Sequence, residues 1–500
     1  MKCMSLRDPL DPDDWRFLEM VAQAAFANPF GQARDDLDVR IGGADPGATP
    51  GAVLDAAIAR VGERIGRLQR AGCADVRGYG RTRGETIRTA VLFHLFHRHA
   101  DAFDALIRAQ SGKGDAPVAA PFAGEAMREL SGFGFDPEEA GRHLALFYQM
   151  RRAFHFVRDG LVGSSPAMRK LRERLWNCVF THDIRWFESG LRDRMTEFPV
   201  LLLGETGTGK GAAASAIGRS GFIPFDAARG RFAESFTRNF VAINLSQYAE
   251  SVLESELFGH RKGAFTGAIE SHEGLFGRCQ PNGVIFLDEI GDAAVPVQIK
   301  LLHVLQDRTY FPVGSHETCR FEGRIVAATN RPMGDLMREG RFREDLYYRL
   351  CSDEITLPTL RQRLREDPGE LGRLVSSILS RLDPAASGRE ERLVMAALRD
   401  GISPDYPWPG NVRELEQAVK RVILTGRYEG REAVPSAGTE DDALLAGVRD
   451  AALDAGTLLA RYCAMLHRRF GSYEEVARKT GLDRRTVRKY ILSLDTPSRL

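Results

Sequence analysis

The sequence predicts an α/β protein whose central part is a parallel, doubly wound sheet between two mainly helical parts. Short apolar runs alternate with helix-period stretches between about residues 158 and 355, and strands separated by helices form parallel sheets. A glycine-rich loop directly follows the first of these runs, where a strand is expected to turn into a helix. The predicted strands are Val200–Leu203, Phe240–Asn244, Val284–Leu287 and Ile325–Ala328.

Length and composition favour a multidomain protein of the cytoplasm. The chain of 500 residues exceeds what one hydrophobic core holds, so we expect about three domains. The net charge of +1 indicates no particular partner, so local charge has to be considered instead. The seven cysteines include no C-x-x-C pair, which favours a reducing compartment over a disulfide framework or a zinc site. No apolar stretch approaches the roughly 20 residues that cross a bilayer, so no membrane partner is expected.

Changes in composition and in hydrophobic periodicity along the chain predict the domain boundaries. We predict a mainly helical N-terminal domain over residues 1–157 and the α/β domain over 158–355. A helical segment over 356–430 opens with a proline-marked turn at Leu357–Leu360. A polar linker over 431–442 then leads to a basic helical domain over 443–500.

The glycine-rich loop predicts a phosphate-binding site for ATP. It lies between the strand Val200–Leu203 and a helical stretch, so that backbone N–H groups and a helix N-terminus can face phosphates. A glycine-rich turn that binds nothing is the alternative, and the lysine at the end of the loop argues against it. Gly211 stands where P-loop proteins usually place a serine or threonine for magnesium. The candidate nucleotide-binding residues here are Gly204, Glu205, Thr206, Gly207, Thr208, Gly209, Lys210 and Gly211.

A second acidic motif follows about eighty residues later. The strand Val284–Leu287 delivers Asp288 and Glu289 to the edge of the sheet where phosphates bind. Asp288 is the expected Mg²⁺ ligand and Glu289 the expected general base for the attacking water. Asn244 and Asn330 each follow a predicted strand and reach the same edge, although an isolated asparagine is more often a turn residue.

The segment Glu254–Ala268 resembles the hallmark insertion of sigma-54-dependent transcription activators, which are AAA+ ATPases. Its six residues G-A-F-T-G-A match that family residue by residue; they are Gly263, Ala264, Phe265, Thr266, Gly267 and Ala268. The resemblance extends from Leu161–Met168 to Trp408–Leu415, about half the chain. It implies an AAA+ P-loop NTPase with a parallel sheet and a helical lid, flanked by a mainly helical N-terminal domain and a C-terminal helix-turn-helix.

The resemblance also implies roles for matching residues. Asn244 resembles the switch that reports the nucleotide state to Glu289, and Thr329 and Asn330 resemble the first sensor. Arg343 and Arg349 resemble arginine fingers that enter a neighbouring subunit's pocket, and such donation requires a ring, a hexamer in this family. Arg413 resembles a second sensor on the lid. The resemblance also implies that the G-A-F-T-G-A loop engages sigma-54 RNA polymerase holoenzyme. It further implies that ATP hydrolysis is used to open promoters.

Other parts of the chain depart from the family pattern. Extra sequence lies around Phe180–Phe198 and Gly218–Asn239, with no purpose that the residues reveal. The N-terminal domain lacks the strand-linked acidic residues of a phosphorylated receiver, so phosphorelay control is not expected. Its histidine-rich stretch Val91–His99 is interpreted as helix packing in preference to a metal site.

The C-terminal segment Ser472–Ile491 predicts a helix-turn-helix that binds double-stranded DNA. Between Arg461 and Leu492, nine Lys/Arg face three Asp/Glu, a local charge of +6. The alternative is a basic helical hairpin that packs on the ring. The expected DNA-contacting residues are Arg484, Arg485, Arg488 and Lys489.

These observations support a DNA-bound activator of sigma-54 polymerase as the primary hypothesis. An AAA+ ATPase that remodels a different protein partner is the alternative. A DNA-binding repressor with an inactive ATPase is disfavoured, because the residues expected to carry hydrolysis are all present; they are Lys210, Asp288, Glu289, Arg343 and Arg349.

Overall fold

The computed structural model describes residues 10–45, 47–384, 388–428, 444, 445, 447, 448 and 453–494. The chain divides into two compact units. The first comprises Met1–Ala397 with Pro404–Gly426, and the second comprises Leu398–Ser403 with Arg427–Leu500. The expected linker over 431–442 lies outside the described residues. Among the described residues, no helix is both long and apolar enough to span a bilayer.

The first unit begins with a bundle of helices, as the sequence predicts for the N-terminal part. Several of these helices start at a capping carboxylate or hydroxyl followed by proline; Asp136 Oδ1, for example, accepts from the Glu139 N–H at 2.8 Å. Their apolar faces form one continuous core. The helices are α1 Pro12–Phe26, α2 Gln32–Gly42, α3 Pro50–Arg70, α4 Arg81–Arg98, α5 Ala100–Lys113, α6 Ala123–Gly132, α7 Pro137–Asp159 and α8 Pro166–Phe180.

A parallel sheet of five strands forms the centre of the first unit. Its strand order is β4-β5-β8-β1-β9, where β1 is Val200–Leu203, β4 Phe240–Asn244, β5 Val284–Asp288, β8 Arg324–Thr329 and β9 Asp353–Thr356. The inner strands β1, β5 and β8 are buried along nearly their whole length, because helices cover both faces of the sheet. The structure confirms the predicted α/β fold and adds β9, which pairs with β1.

Two short hairpins and further helices accompany the sheet strands along the chain. The hairpin β2–β3 pairs Phe225–Asp226 with Arg231–Phe232, and the hairpin β6–β7 pairs Thr309–Tyr310 with Cys319–Arg320. The helices are α9 Lys210–Gly218, α10 Glu250–Phe258, α11 Leu275–Arg278, α12 Val295–Asp307, α13 Met333–Arg338, α14 Glu344–Leu350, α15 Leu360–Glu366, α16 Glu370–Leu382, α17 Gly388–Gly401 and α18 Asn411–Thr425.

The helical lid is fastened to the chain that enters the α/β domain. A fully buried ion pair joins Arg363 of α15 to Glu370 of α16 at 2.7 Å. Arg363 also donates to the carbonyl of Val162, and the N–H of Ser164 donates to Glu370 at 2.7 Å. Because each charged group has several partners, the pair is satisfied in spite of its burial.

The extra segment Gly218–Asn239 packs into the N-terminal core. Phe232 of β3 stacks on Tyr148 of α7 with ring centroids 3.9 Å apart. Two other apolar residues of the segment, Ile223 and Phe236, are fully buried in the same core cluster. The segment therefore joins the helical bundle to the α/β domain.

A buried arginine strengthens this junction. Arg152 of α7 donates to the carbonyls of Arg219 and Gly221, both at 2.6 Å, and Gln149 donates to the carbonyl of Ser220 at 3.0 Å. Burial lowers the pKa of Arg152 to about 10, so the guanidinium stays charged at neutral pH. The end of α9 thus receives a cation at its carbonyls, the favourable polarity for a helix C-terminus.

Over residues 453–494, the structure describes three packed helices of the second unit, α19 Ala455–Phe470, α20 Tyr473–Thr480 and α21 Arg484–Leu494. Ser472 caps α20, and Gly481 ends it in the left-handed conformation with φ 71°. Val476 and Val487 are fully buried between the helices, and Ile491 packs against them. The apolar side chains of Ser472–Ile491 thus form a small core between these helices.

Candidate nucleotide-binding site

The glycine-rich loop, residues 204–210, connects β1 to α9 at the carboxyl edge of the sheet. Its glycines have φ values of 152°, 83° and 101° at Gly204, Gly207 and Gly209, a region that other residues rarely adopt. At Gly207 an added Cβ would lie 2.2 Å from the carbonyl oxygen of Gly410. Glycine is therefore required there both by the backbone conformation and by close contact with the lid.

Lys210 lies at the start of α9 and is buried. Its Nζ donates to the carbonyl of Gly204 at 2.8 Å and to that of Glu205 at 3.3 Å. Burial lowers the pKa of Lys210, and the nearby carboxylates of Glu289 and Asp288 oppose this shift. The ammonium is thus held inside the loop by weak neutral acceptors that a phosphate can replace.

Gly211 takes the position where a hydroxyl is usual in this type of loop. An added Cβ there would meet only a ring atom of Phe286, at an ordinary contact distance of 3.9 Å. Packing does not require glycine at this position. Of the two neighbouring hydroxyls, that of Thr208 donates to the carbonyl of Glu205 at 2.8 Å, and that of Thr206 accepts from Asn330 at 2.9 Å.

The acidic pair lies at the end of β5, beside the loop. Asp288 is the last residue of the strand, and Glu289 follows with φ 54°, in the left-handed region. A non-glycine residue in this conformation is uncommon, and such strain is found where a side chain must be aimed at a site. The two carboxylates both interact with the Lys210 ammonium.

The two asparagines occupy the same edge. Asn244 pairs in register with Asp288, and its amide donates to that carboxylate at 3.4 Å. Its amide oxygen also accepts from the N–H of Ser246 at 3.0 Å, which makes it a turn residue as well. Asn330 connects Thr206 to Glu289, since its backbone N–H donates to the glutamate at 3.3 Å. Asn244, which resembles the family's switch residue, therefore contacts Asp288, whereas Asn330 contacts Glu289.

The lid closes one side of the loop through Asn411, which sequence analysis does not single out. This buried residue starts α18 with φ 52°, and its amide oxygen accepts from the N–H of Leu360 at 2.8 Å. Its amide nitrogen donates to Glu205 and to the carbonyl of Thr206, both at 3.1 Å. Three elements thus converge on one side chain.

Two neighbouring arginines complete this contact. Arg361 of α15 forms a two-pronged ion pair with Glu205, which lowers the pKa of the Glu205 carboxyl. Arg413 is exposed on α18, and its Cβ would lie 3.0 Å from a Cβ at Gly207. Its charge also lowers the pKa of Lys210. Arg413 therefore lies beside the phosphate loop.

Arg343 and Arg349 lie on and beside α14, on the surface of the first unit. Arg343 forms a two-pronged ion pair with Asp345 at 2.7 and 3.0 Å. Arg349 is exposed, as is its neighbour Tyr348, and it makes no ion pair with any described residue. Neither arginine bonds to the loop 204–210 within the described chain.

The G-A-F-T-G-A segment forms a tight, exposed loop. Gly263 and Gly267 have φ values of 82° and 101°, and the N–H of Gly263 donates to the carbonyl of Ala268 at 2.8 Å. Phe265 at the tip is 46% exposed, and only Ala268 is buried. A large aromatic side chain exposed on a short loop is a feature of partner surfaces.

A histidine anchors the base of this loop. The His260 ring lies 4.9 Å from the Phe265 ring, and its two nitrogens bond to the Ser255 hydroxyl at 2.6 Å and to the carbonyl of Glu270 at 3.0 Å. Gly314, in the turn between β6 and β7, contacts Ala264 closely. This second hairpin is part of the loop's support, and sequence analysis missed it.

The basic residues of the second unit are presented to solvent. Arg484, Arg485, Arg488 and Lys489 of α21 are all exposed. Arg484 pairs with Glu474 of α20 at 2.7 Å, and Asp483 caps α21 by accepting from the N–H groups of Arg485 and Thr486 at 2.9 and 3.0 Å. One face of α21 is thus cationic while Val487 lies buried in the helical core.

Comparisons with known proteins identify relatives of this chain. Residues 186–356 match the sigma-54 interaction domain family. The transcriptional regulatory protein ZraR of Klebsiella oxytoca is 38% identical over 333 residues, which cover 66% of this chain and 67% of that protein. The Nif-specific regulatory protein of Klebsiella pneumoniae is 38% identical over 304 residues, 58% of this chain and 51% of that protein. A crystal structure of NtrX from Brucella abortus with ADP aligns at 23% identity and a TM-score of 0.40, over 75% of this chain and 81% of that one.

A parallel sheet with a lysine-ended phosphate loop, an acidic pair at the next strand end and a lid in contact with the loop defines a P-loop ATPase of the AAA+ class. Within that class, the chain belongs to the family of sigma-54-dependent transcription activators. The ATPase activity and the family that the sequence predicts are therefore confirmed.

We predict that Asn411→Ala weakens both the fold and nucleotide binding. The substitution leaves the N–H of Leu360 and the carbonyl of Thr206 without their partner, and it forces alanine into a positive φ. We expect the free energy of unfolding to fall by about 2 kcal/mol. Urea unfolding and titration with a fluorescent ATP analogue measure the two effects. Gln417→Ala, an exposed position on the same helix, is the control, and equal behaviour of the two variants would contradict the assigned role.

Proposed function

We propose that this protein uses ATP and Mg²⁺ to remodel sigma-54 RNA polymerase holoenzyme, acting in the cytoplasm as a hexameric ring bound to double-stranded DNA. The observation that carries the proposal is the Phe265 loop. It presents an aromatic tip to solvent and stands on the same domain as the phosphate loop. Family membership makes sigma-54 the partner that this tip engages.

The chemical step is assigned to the residues at the edge of the sheet. Lys210 binds the β- and γ-phosphates, and the backbone N–H groups of the loop and of α9 orient them. Glu289 accepts the proton of the attacking water. Asn330 positions Glu289, and Asn244 positions Asp288.

Mg²⁺ fits the donors at this edge. Magnesium is usually held by one or two carboxylates together with substrate phosphates and waters. The Asp288 carboxylate is such a donor, and Gly211 contributes none. When bound, the ion neutralises charge on the phosphates, and the residues named above orient and deprotonate the water.

Ring assembly is inferred from the two exposed arginines. Each lies outside its own phosphate site, and Arg349 is uncommitted within the described chain, so both are suited to a neighbouring subunit's nucleotide. An arginine supplied in this way stabilises charge in the transition state. Hydrolysis then depends on contact between subunits.

The arginines and lysine of α21 suit phosphate and guanine contacts in the major groove. The helix is capped at Asp483 and held by a small apolar core, so its cationic face is presented on a rigid element. This arrangement supports a helix-turn-helix that anchors the protein to DNA.

The first prediction of the proposed function separates ATP hydrolysis from remodelling of the polymerase. Thr266→Ala removes a hydroxyl and a methyl group from an exposed loop that makes no bond to the phosphate site in the described chain. We expect the ATPase rate and ring assembly to be unchanged, while sigma-54 binding and promoter opening are lost. Open-complex formation with purified holoenzyme is the measurement, and Thr425→Ala, an exposed threonine outside the loop, is the control. Normal promoter opening by Thr266→Ala would favour a different protein partner.

The second prediction concerns the arginine fingers. Arg349→Ala should lower the ATPase rate by on the order of 10³. Glu289→Gln should keep nucleotide binding but stop hydrolysis, because an amide cannot accept the proton. Mixing the two variants should restore activity, since Glu289→Gln subunits supply the arginine and Arg349→Ala subunits supply the base. Arg338→Ala is the control, and an absence of rescue in rings shown to be mixed would refute donation between subunits.

The third prediction concerns DNA. Arg485→Ala should weaken binding to double-stranded DNA, and if this residue contacts a phosphate, the salt dependence of binding should fall by roughly 0.9 in log–log slope. Fluorescence anisotropy at several salt concentrations measures both quantities. Arg478→Ala on α20, where the side chain is paired with Glu475, is the matched control. If both variants bind like the wild type, DNA is contacted elsewhere.

A further inference from the structure

A large cavity lies within the first unit, at the junction of the helical bundle and the α/β domain. Its volume is 540 Å³, and its walls come from α4, α7 and both extra segments. The cavity is partly open to solvent, and its volume lies in the range of roughly 300–1,000 Å³ that is usual for small-molecule sites. Six phenylalanines are among the residues that line it; they are Phe26, Phe93, Phe96, Phe147, Phe187 and Phe222.

The wall carries charged groups of both signs. Five arginines line the cavity against three glutamates. One of the three glutamates is Glu188, whose pKa is raised to about 7 by desolvation and by the neighbouring Glu85 carboxylate. Three aspartates just outside the wall, Asp38, Asp183 and Asp193, also pair with its arginines.

Four of the arginines already have carboxylate partners. Arg34 pairs with Asp38 at 2.9 Å, Arg88 with Glu139, Arg185 with Asp183 at 2.6 Å and Arg192 with Asp193 at 3.0 Å. Arg142 of α7 makes no ion pair or hydrogen bond with any residue that the structure describes. Arg142 is exposed, so its guanidinium is solvated, and it is the wall cation that a ligand can bind without displacing a carboxylate.

His97 also lines the cavity. Its Nε2 atom is fully buried and makes no hydrogen bond within the described chain, so a ligand in the cavity does not reach it. Burial lowers the pKa of His97 to about 3, so the ring is neutral and adds no charge to the wall.

The position of the cavity connects it to the ATPase. Phe187 and Arg192 belong to the extra segment that directly precedes β1, and Phe222 follows α9. The Arg192 guanidinium lies over the Phe222 ring at 4.6 Å, so the two extra segments meet at the wall. A ligand here contacts both ends of the β1–loop–α9 unit that holds the phosphates.

We propose that this cavity binds a small organic anion with an apolar, aromatic-sized body and a single acidic group. The phenylalanines receive the body, and Arg142 receives the acidic group. The cavity gives the two extra segments a shared purpose, since they form the part of its wall that belongs to the ATPase side.

Two matched dyes test the proposal on the full-length protein without nucleotide or polymerase. 8-Anilinonaphthalene-1-sulfonate carries one anionic group, and N-phenyl-1-naphthylamine has the same rings without it. We expect one sulfonate dye per chain by calorimetry, bound about 10-fold more tightly than the neutral dye. Arg142→Gln should remove this preference, whereas Arg108→Gln, an exposed arginine outside the cavity, should keep it.

A cavity-filling variant controls for dye bound at other surfaces. Ser189→Trp places a large ring at the wall, and with folding verified by circular dichroism it should abolish the one-to-one site. Equal affinity for the two dyes, unchanged binding to Arg142→Gln, or unchanged binding to folded Ser189→Trp would each overturn the proposal. Because no step involves ATP or sigma-54, these outcomes are independent of the proposed transcriptional function.

Discussion

The backbone contact between the phosphate loop and the lid is the constraint on which the rest of the nucleotide site depends. The N–H of Val412 donates to the carbonyl of Gly207 at 3.1 Å, and no side chain fits between Gly207 and Gly410. Once these two backbones touch, Asn411 can reach Thr206 and Arg413 lies beside the loop. The buried pair Arg363–Glu370 then ties the same lid to the chain entering the α/β domain, so lid, loop and entry segment form one connected body.

A similar dependence joins the helical bundle to the ATPase. Arg152 donates hydrogen bonds to carbonyls at the end of α9, and Phe232 is buried in the bundle core. The helix that begins at the phosphate-binding lysine therefore ends against the N-terminal domain. Any displacement of α7 acts directly on α9, and α9 carries the N–H groups that face phosphate. This is a short physical route between the N-terminal half of the chain and the nucleotide.

Local pattern was sufficient to predict the sheet and the phosphate loop, because both depend on residues adjacent in sequence. The strand β9 escaped prediction since only Ile355 of its four residues is buried. Asn411 lies within a motif that sequence analysis quotes, but its role depends on partners about 50 and 200 residues away. The extra segments carry aromatic residues with no periodicity, so the sequence does not show which of them are buried. Their packing against the helical bundle is seen only in the structure. The roles of the individual site residues stay predictions that the experiments above address.

The docked segment Gly218–Asn239 has a consequence for how the protein can be divided. In many multidomain proteins a boundary runs through an exposed linker, and either half survives alone. Here the α/β domain lends Ile223, Phe232 and Phe236 to the core of its neighbour. Deleting the bundle up to residue 157 would expose these three apolar side chains to water, and such an exposed patch favours aggregation. The helical bundle and the α/β domain therefore share one core. Exchanging the bundle for another would also require changes in this segment of the ATPase.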